Sequence, residues 1–457
     1  MKVLLLHPQL KKYEQPRLPP LGILSIAAVL EKEGHKVFVL DLNVQPNDLG
    51  KFLRKEPDLV GITATTPLIK EAWRLAKICK RRKLSVIIGG PHVSALPEES
   101  LKKGIVDLVV RYEGEGTMKE ICVKWPKYKN ILGISYLKNG RVIHNPRRPL
   151  IQNLDSLPFP AYHLLSDISR YSTPQPVLTK QRKTLTLISS RGCPYHCNYC
   201  YKGVFGDRWR AHSPEYILDL WEYLVKEFGV EEIGVEDDTF NLDLQRVERI
   251  CNGLIKRKIK TSWTTAQGLR ADRISKSLLR KMKKTGFYRT GFGIEAGSQE
   301  MVIKIGKNLN LDKASKAIAA CKELGIESIG YFMIGNIGEN EKTMQETIDF
   351  AIKLDPDIAH FTIANPLPGT PLFEQVKKEG KLLITDWNLY GYTRGRCFFE
   401  HGEVKKDLVE RMWRKAYRQF YLRPAVIKRF LTRKETWFNL PKMAQASLSY
   451  LGIRKET

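Results

Sequence analysis

Three cysteines, Cys193, Cys197 and Cys200, fall within one short run, RGCPYHCNYC, and offer three thiolates to a single metal site. Soft thiolate ligands select iron–sulfur clusters, zinc or cuprous copper. A structural zinc site takes four ligands, commonly from paired CxxC knuckles. The Cys-x3-Cys-x2-Cys spacing has neither a second knuckle nor a fourth, proline-terminated cysteine. It fits a four-iron four-sulfur cluster with one iron left open to chelate a small molecule. On spacing alone, a zinc knuckle and a chance group of buried thiols remain alternatives. The five other cysteines, Cys79, Cys122, Cys251, Cys321 and Cys397, stand singly and make no disulfide framework, which implies a reducing cytoplasm. They read as small core residues, with Cys397 the candidate for an auxiliary thiol.

The chain that must position these thiolates has 457 residues, beyond the length at which one hydrophobic core stops growing, so more than one domain is expected. Over the first 150 residues, short apolar runs at 3–6, 37–40, 59–63, 85–89 and 106–110 alternate with amphipathic segments at 21–32 and 69–80. That alternation predicts an α/β fold, a doubly wound parallel sheet covered by helices on both faces. Ligands of such sheets sit beyond the carboxyl ends of the strands. The chain has His7, Thr63 to Pro67, Gly89-Gly90-Pro91-His92 and Tyr112-Glu113-Gly114-Glu115-Gly116 at those ends. A proline-punctuated connection follows, with a hairpin expected at 134–144 around Asn139-Gly140. From residue 184, six strand-then-helix units begin at 184, 232, 261, 289, 326 and 358, a pattern that allows an open sheet or a partial barrel. The expected divisions are 1–125, a linker at 126–180, a core at 181–400 and a basic helical tail at 401–457.

The cysteine run, with Tyr199 immediately before its last cysteine, resembles the cluster motif of the radical S-adenosylmethionine enzymes. The loops at 89–99 and 113–116 resemble those of the cobalamin-binding domain in the cobalamin-dependent members, which include class B radical methyltransferases and the anaerobic magnesium-protoporphyrin cyclase. The resemblance implies a Rossmann-like cobalamin domain followed by a (β/α)6 partial TIM barrel. It also implies that the open iron chelates S-adenosylmethionine and that an electron splits the sulfonium to a 5′-deoxyadenosyl radical, chemistry carried by the cofactor.

Carried over residue by residue, the resemblance makes Cys193, Cys197 and Cys200 the cluster ligands. Tyr199, Asp237 and Asp238 of EDDTF, and Glu295 and Ser298 of GIEAGS, become contacts for S-adenosylmethionine. Thr63, Thr65, Gly89, Gly90, Glu113, Gly114 and Glu115 become cobalamin contacts. Without it, Asp237 and Asp238 read as caps of a following helix, and the glycines as ordinary turns.

The chain departs from the family in two places. The Asp-x-His-x-x-Gly motif that supplies a lower axial histidine is absent after the first strand, so the resemblance implies a corrin bound without that histidine, with His7 and His92 as alternative ligands or ordinary hydrogen-bonding loop residues. Ile337, in YFMIGNIGEN, stands where the family's loop has proline.

The formal charge of +27 and pI near 9.6 predict attraction to a polyanion, namely nucleic acid, an anionic membrane surface or a phosphorylated substrate, or else simply a solvated basic surface. Nucleic acid is disfavoured, because radical methylthiotransferases of transfer RNA carry a further upstream cysteine cluster, whereas Cys79 and Cys122 are the upstream cysteines here. From residue 401 the chain carries fourteen Lys or Arg against five Asp or Glu, interleaved with aromatics as far as Trp437 and Phe438. Such a helix suits a membrane surface. Over 407–423, the stripe Met412, Ala416 and Phe420 is expected to pack on the barrel instead.

No apolar run reaches the roughly 20 residues that cross a bilayer, and the start MKVLLLHPQL reads as a strand, not a signal peptide. The expected protein is cytoplasmic, with peripheral contact at the inner membrane face. The expected activity is cobalamin-dependent methylation at an unactivated carbon of a small-molecule or lipid-like substrate, with flavodoxin or ferredoxin as electron donor. Radical cyclisation or oxidation with the same cofactors, and a non-catalytic iron–sulfur relay, are the alternatives.

Overall fold

The computed structural model describes residues 1–9, 17–172, 183–390 and 395–432, so Trp437 and Phe438 of the expected tail lie outside the described residues. β1 (Lys2–His7) buries Val3 and Leu5 in one core and Leu4 and Leu6 in another, and therefore needs cover on both faces. β2 (Lys36–Asp41), β3 (Leu59–Thr63), β4 (Ser85–Gly89) and β5 (Leu108–Val110) extend it as a parallel sheet in the order β2-β1-β3-β4-β5. Helices Leu21–Lys32 and Glu115–Lys124 bury Ile23, Leu24, Met118 and Ile121 on one face. Helix Ile69–Arg81 buries Ala72, Leu75 and Cys79 on the other.

The hairpin of β6 (Ile134–Lys138) and β7 (Arg141–His144) does not stay in a linker. β6 pairs antiparallel with β5 and completes a seven-stranded sheet. Ile134 and Tyr136 bury in the same core as Leu108 and Val110, so the first sheet runs past the expected boundary at residue 125.

β8 (Thr184–Leu187) opens the second half, and a small antiparallel ribbon follows, β9 (Ser190–Arg191) with β10 (Arg210–Ala211). The loop between the ribbon strands contains all three motif cysteines. β11 (Glu232–Val235), β12 (Ser262–Leu269), β13 (Phe287–Glu295), β14 (Glu327–Ile334) and β15 (Ile358–Ile363) then line up beside β8 in chain order, all parallel. Six parallel strands in sequence order, with β8 and β15 at the two edges, make a (β/α)6 partial barrel and not a closed one. The connecting helices carry local start and stop signals. Ser213 caps Pro214–Phe228 and Asn310 caps Leu311–Leu324, and each helix ends on a left-handed glycine, Gly229 or Gly325.

Helix Lys406–Tyr421 buries Val409, Met412, Trp413, Ala416, Tyr417 and Phe420, the packing expected for that segment. It also seals an edge. Trp413 Nε1 donates to the Phe361 carbonyl at 2.9 Å, and the Tyr421 hydroxyl donates to the Ala359 carbonyl at 2.7 Å. The Tyr421 and Tyr417 hydroxyls accept from the Ala359 and Phe361 N–H groups at 3.2 and 3.3 Å. Among the described residues no helix is long and apolar enough to cross a membrane.

Candidate active site

The cysteine loop is held along its length by backbone and buried polar contacts. Asp237, at the end of β11, accepts from the Ser189 N–H at 2.5 Å and from the Ser189 and Ser190 hydroxyls at 2.6 Å each. Asp238 accepts from the Gly192 N–H at 3.0 Å. Farther along, the Asn198 N–H donates to the Ile305 carbonyl at 2.9 Å, and Leu372 N–H donates back to the Asn198 carbonyl at 2.9 Å. Gly306 (φ +74°) is required here, because a Cβ would stand 2.2 Å from the His196 carbonyl oxygen. The Arg270 guanidinium lies 3.5 Å over the Tyr195 ring and donates to the carbonyls of Lys307 and Asn308 at 3.0 and 2.6 Å.

The three thiols share an environment that suits thiolate ligands. All three line one cavity. Cys197 is buried, Cys193 half-buried and Cys200 exposed. The hydrogen bond with Cys200, helped by the Lys307 ammonium, holds the Cys197 thiol below its ordinary range despite burial. The Thr239 hydroxyl reaches Cys193 Sγ at 3.2 Å. Lys307 pairs with Glu295 at 2.9 Å, and Glu295 itself sits at positive φ (71°) at the end of β13. Three thiols, a partly buried cation and a hydroxyl donor fit the surroundings of an iron–sulfur cluster with a free iron. Among the described residues no three His, Cys, Asp or Glu side chains converge to hold a single metal ion.

The cavity has a volume of about 700 Å³ and lies between the carboxyl end of the first sheet and the cysteine loop. Thr63, Gly89, Gly90, Tyr112 and Gly114 form one wall; the cysteines, Tyr199 and Asp238 form the other. Part of its lining is apolar, supplied by Leu5, Ile23, Ile26 and Met118. Gly90 takes φ +104°, and a Cβ there would stand 2.7 Å from the Ala64 carbonyl oxygen, so only glycine lets the loop after β4 pack this closely on the end of β3. Lys202 Nζ, of a cavity-lining residue, is buried without a hydrogen-bond partner. Buried polar groups are ordinarily satisfied, so it marks where a ligand polar group fits.

Several of the expected contacts are used differently. Glu113 and Glu115 line the cavity, but their carboxylates turn to arginines of the cysteine loop. Arg191 donates to Glu113 at 3.0 Å and to Glu115 at 2.7 Å, and Arg210 donates to Glu113 at 2.9 and 3.1 Å. Asp237 is 2% exposed and is spent on the serines of the loop, so it braces the site instead of facing it. Ser298 does not line the cavity; its oxygen caps helix Gln299–Lys304 by accepting from the Met301 N–H. Thr65 is exposed at the start of a short turn and is also outside the cavity wall.

Neither candidate axial histidine lines the cavity. His7 turns to Asp41 at 3.0 Å, and His92 is buried between Thr66, Glu99 and the rings of Trp73 and Trp387. Cys397 is buried, donates to the Phe399 carbonyl and is pushed up to about 11 by burial, which makes it an inert thiol. Lys307, Thr239, Arg191 and Arg210 were not singled out by sequence. Arg191 and Thr239 had local signals, the one two residues before Cys193 and the other inside EDDTF.

Residues 187–351 match the model of the Radical SAM superfamily and residues 15–122 that of the B12 binding domain. The chain is 36% identical over 442 residues to a Pyrococcus horikoshii protein described as an uncharacterized methyltransferase, covering 93% of this chain and 94% of the relative. It is 30% identical over 448 residues to the cytidylyl-2-hydroxyethylphosphonate methyltransferase of Streptomyces wedmorensis, covering 83% of this chain and 82% of the relative. The fold is similar to that of the cobalamin-dependent S-adenosylmethionine radical enzyme OxsB, with TM-score 0.72 and 22% identity, covering 86% of this chain and 64% of that longer one.

Proposed function

The chain belongs to the radical S-adenosylmethionine enzymes that carry a B12-binding domain, and we propose that it is a cobalamin-dependent methyltransferase whose cluster is held by Cys193, Cys197 and Cys200. When bound, the cluster supplies the electron that cleaves S-adenosylmethionine to a 5′-deoxyadenosyl radical, and the corrin cobalt supplies a methyl group. The observation that carries this reading is the single cavity on which the three thiols and the strand-end loops of the first sheet converge.

This chain's own residues bind and orient. In our reading Asp238 and Tyr199 face S-adenosylmethionine from the barrel side, and the Glu295–Lys307 pair fixes the end of β13 next to the thiols. Thr63, Gly89, Gly90 and Gly114 let the corrin approach backbone, and the apolar lining of Leu5, Ile23, Ile26 and Met118 takes its less polar part. The substrate is a small molecule, and a reductant must deliver the cluster's electron. A flavodoxin or ferredoxin as that donor, a hydrophobic or large substrate, and peripheral contact with an anionic inner membrane face are further parts of the proposal. Two relatives described as methyltransferases support methylation over cyclisation.

The test is anaerobic reconstitution with iron, sulfide and hydroxocobalamin, followed by dithionite and S-adenosylmethionine. Formation of 5′-deoxyadenosine together with S-adenosylhomocysteine is expected, and Cys197→Ala should abolish the first. Fully loaded protein that forms neither product would leave the relay reading in its place.

A further inference from the structure

Arg191 and Arg210 stand directly opposite each other in the β9–β10 ribbon that closes the cysteine loop. Both are buried, 6% and 5% exposed. Like charges facing each other across a strand pair repel, and a buried charge without a counter-charge is strongly unfavourable. The ribbon therefore cannot close on its own residues. Its counter-charges are Glu113 and Glu115, from the turn that ends β5 in the other half of the molecule. Two cations and two anions make a neutral buried set. The Ile151 N–H donates to Glu113 at 2.9 Å and the Ser25 hydroxyl to Glu115 at 2.8 Å, and Arg210 also donates to the Ile151 and Phe205 carbonyls at 2.7 and 2.8 Å. The same turn walls the cavity through Tyr112 and Gly114, opposite the cysteines, and packs so closely that a Cβ on Gly114 would lie 2.7 Å from Ile26.

We propose that Glu113, Glu115, Arg191 and Arg210 couple the two cofactor sites. Ordering of the cysteine loop by its cluster fixes the Glu113–Glu115 turn in the form that receives the corrin, and filling the cavity fixes the loop in the form that gathers the thiols. By linkage the effect is reciprocal. The inference rests on the cobalamin reading above and concerns residues that position the cofactors without reacting.

Hydroxocobalamin affinity, titrated anaerobically on the full chain with and without its reconstituted cluster, tests the coupling. Wild-type protein should bind on the order of ten-fold more tightly when the cluster is present. In Glu113→Gln, with iron content and far-UV circular dichroism checked, the ratio should fall close to one. The charge-neutral pair Glu113→Gln with Arg210→Gln serves if the single variant does not fold. A merely structural clamp would weaken both affinities and keep the ratio. Equal affinities in the two wild-type forms, or an unchanged ratio in the folded variants, overturns the coupling. Failure of both wild-type forms to bind hydroxocobalamin overturns the cofactor reading and the coupling with it.

Discussion

Glu339 illustrates how burial rather than a partner sets the chemistry of a side chain. One carboxylate oxygen accepts from the Asn336 N–H at 2.8 Å, while the other is buried without a partner. Burial pushes this carboxyl up to about 7, against hydrogen bonds from the Asn336 and Gly335 N–H groups that favour the charged form. In the unfolded chain it titrates near 4.5. The folded state thus holds an extra proton between those values. Stability falls as pH rises through that window and levels off above it. The whole effect is at most about 3 kcal/mol. Melting curves of wild type and Glu339→Gln from pH 5 to 8 should diverge, with the wild type losing more on the alkaline side. Parallel curves would count against a protonated Glu339.

The same scale separates what was legible in sequence from what was not. That Cys193, Cys197 and Cys200 would meet at one cavity could be read because they lie within a run of a few residues. The pairing of Glu113 with Arg191 and Arg210 spans 78 and 97 residues, and no local pattern announces it. Asp237 and Asp238 look equivalent in EDDTF, yet one turns into the loop and the other onto the cavity, a difference made by three-dimensional packing alone.

At the scale of elements, the open edge of the barrel governs what the tail can do. Six strand–helix units were readable from the apolar runs, whereas their sequential order in the sheet was implied by the resemblance alone, and where the sheet stops depends on what covers β15. An uncovered edge strand presents unpaired backbone groups and invites aggregation. Here Trp413, Tyr417 and Tyr421 satisfy the Ala359 and Phe361 backbone groups while Phe361 packs against Tyr417 and Phe420. The 3.6-residue periodicity of helix Lys406–Tyr421 was visible in sequence, whereas this use of its aromatic hydroxyl and indole groups was not. The helix should therefore behave as part of the barrel. Phe420→Ala should cost about 3 to 5 kcal/mol by leaving a cavity against β15, measured by denaturant unfolding. Ending the chain at Glu400 should give aggregated protein, whereas ending it at Leu422 should leave a soluble, cooperatively folding one. A well-folded chain ending at Glu400 would refute the sealing role.

At the scale of the molecule, the charge of +27 has to be reconciled with a site that uses its cations internally. Arg191, Arg210, Arg270 and Lys307 are all engaged with carboxylates or carbonyls, so the surplus lies elsewhere on the surface. Leu422, Ile427 and Leu431 stand exposed at 56%, 43% and 53% around helix Pro424–Leu431, which Arg423 and Arg429 anchor to Asp355. Exposed apolar side chains on a helix of a strongly basic chain would suit the anionic-membrane contact proposed above, the charge drawing the helix in and the apolar groups inserting. Flotation with vesicles containing phosphatidylglycerol should carry the full chain at low salt and release most of it at high salt, because exposed charges are screened. Ile427→Glu with Leu431→Glu should weaken binding at least about ten-fold, since each lost apolar insertion removes on the order of 1.5 kcal/mol or more. Equal flotation of the double variant and wild type would mean that these side chains face something other than lipid. Salt-insensitive binding would remove the charge from the argument altogether.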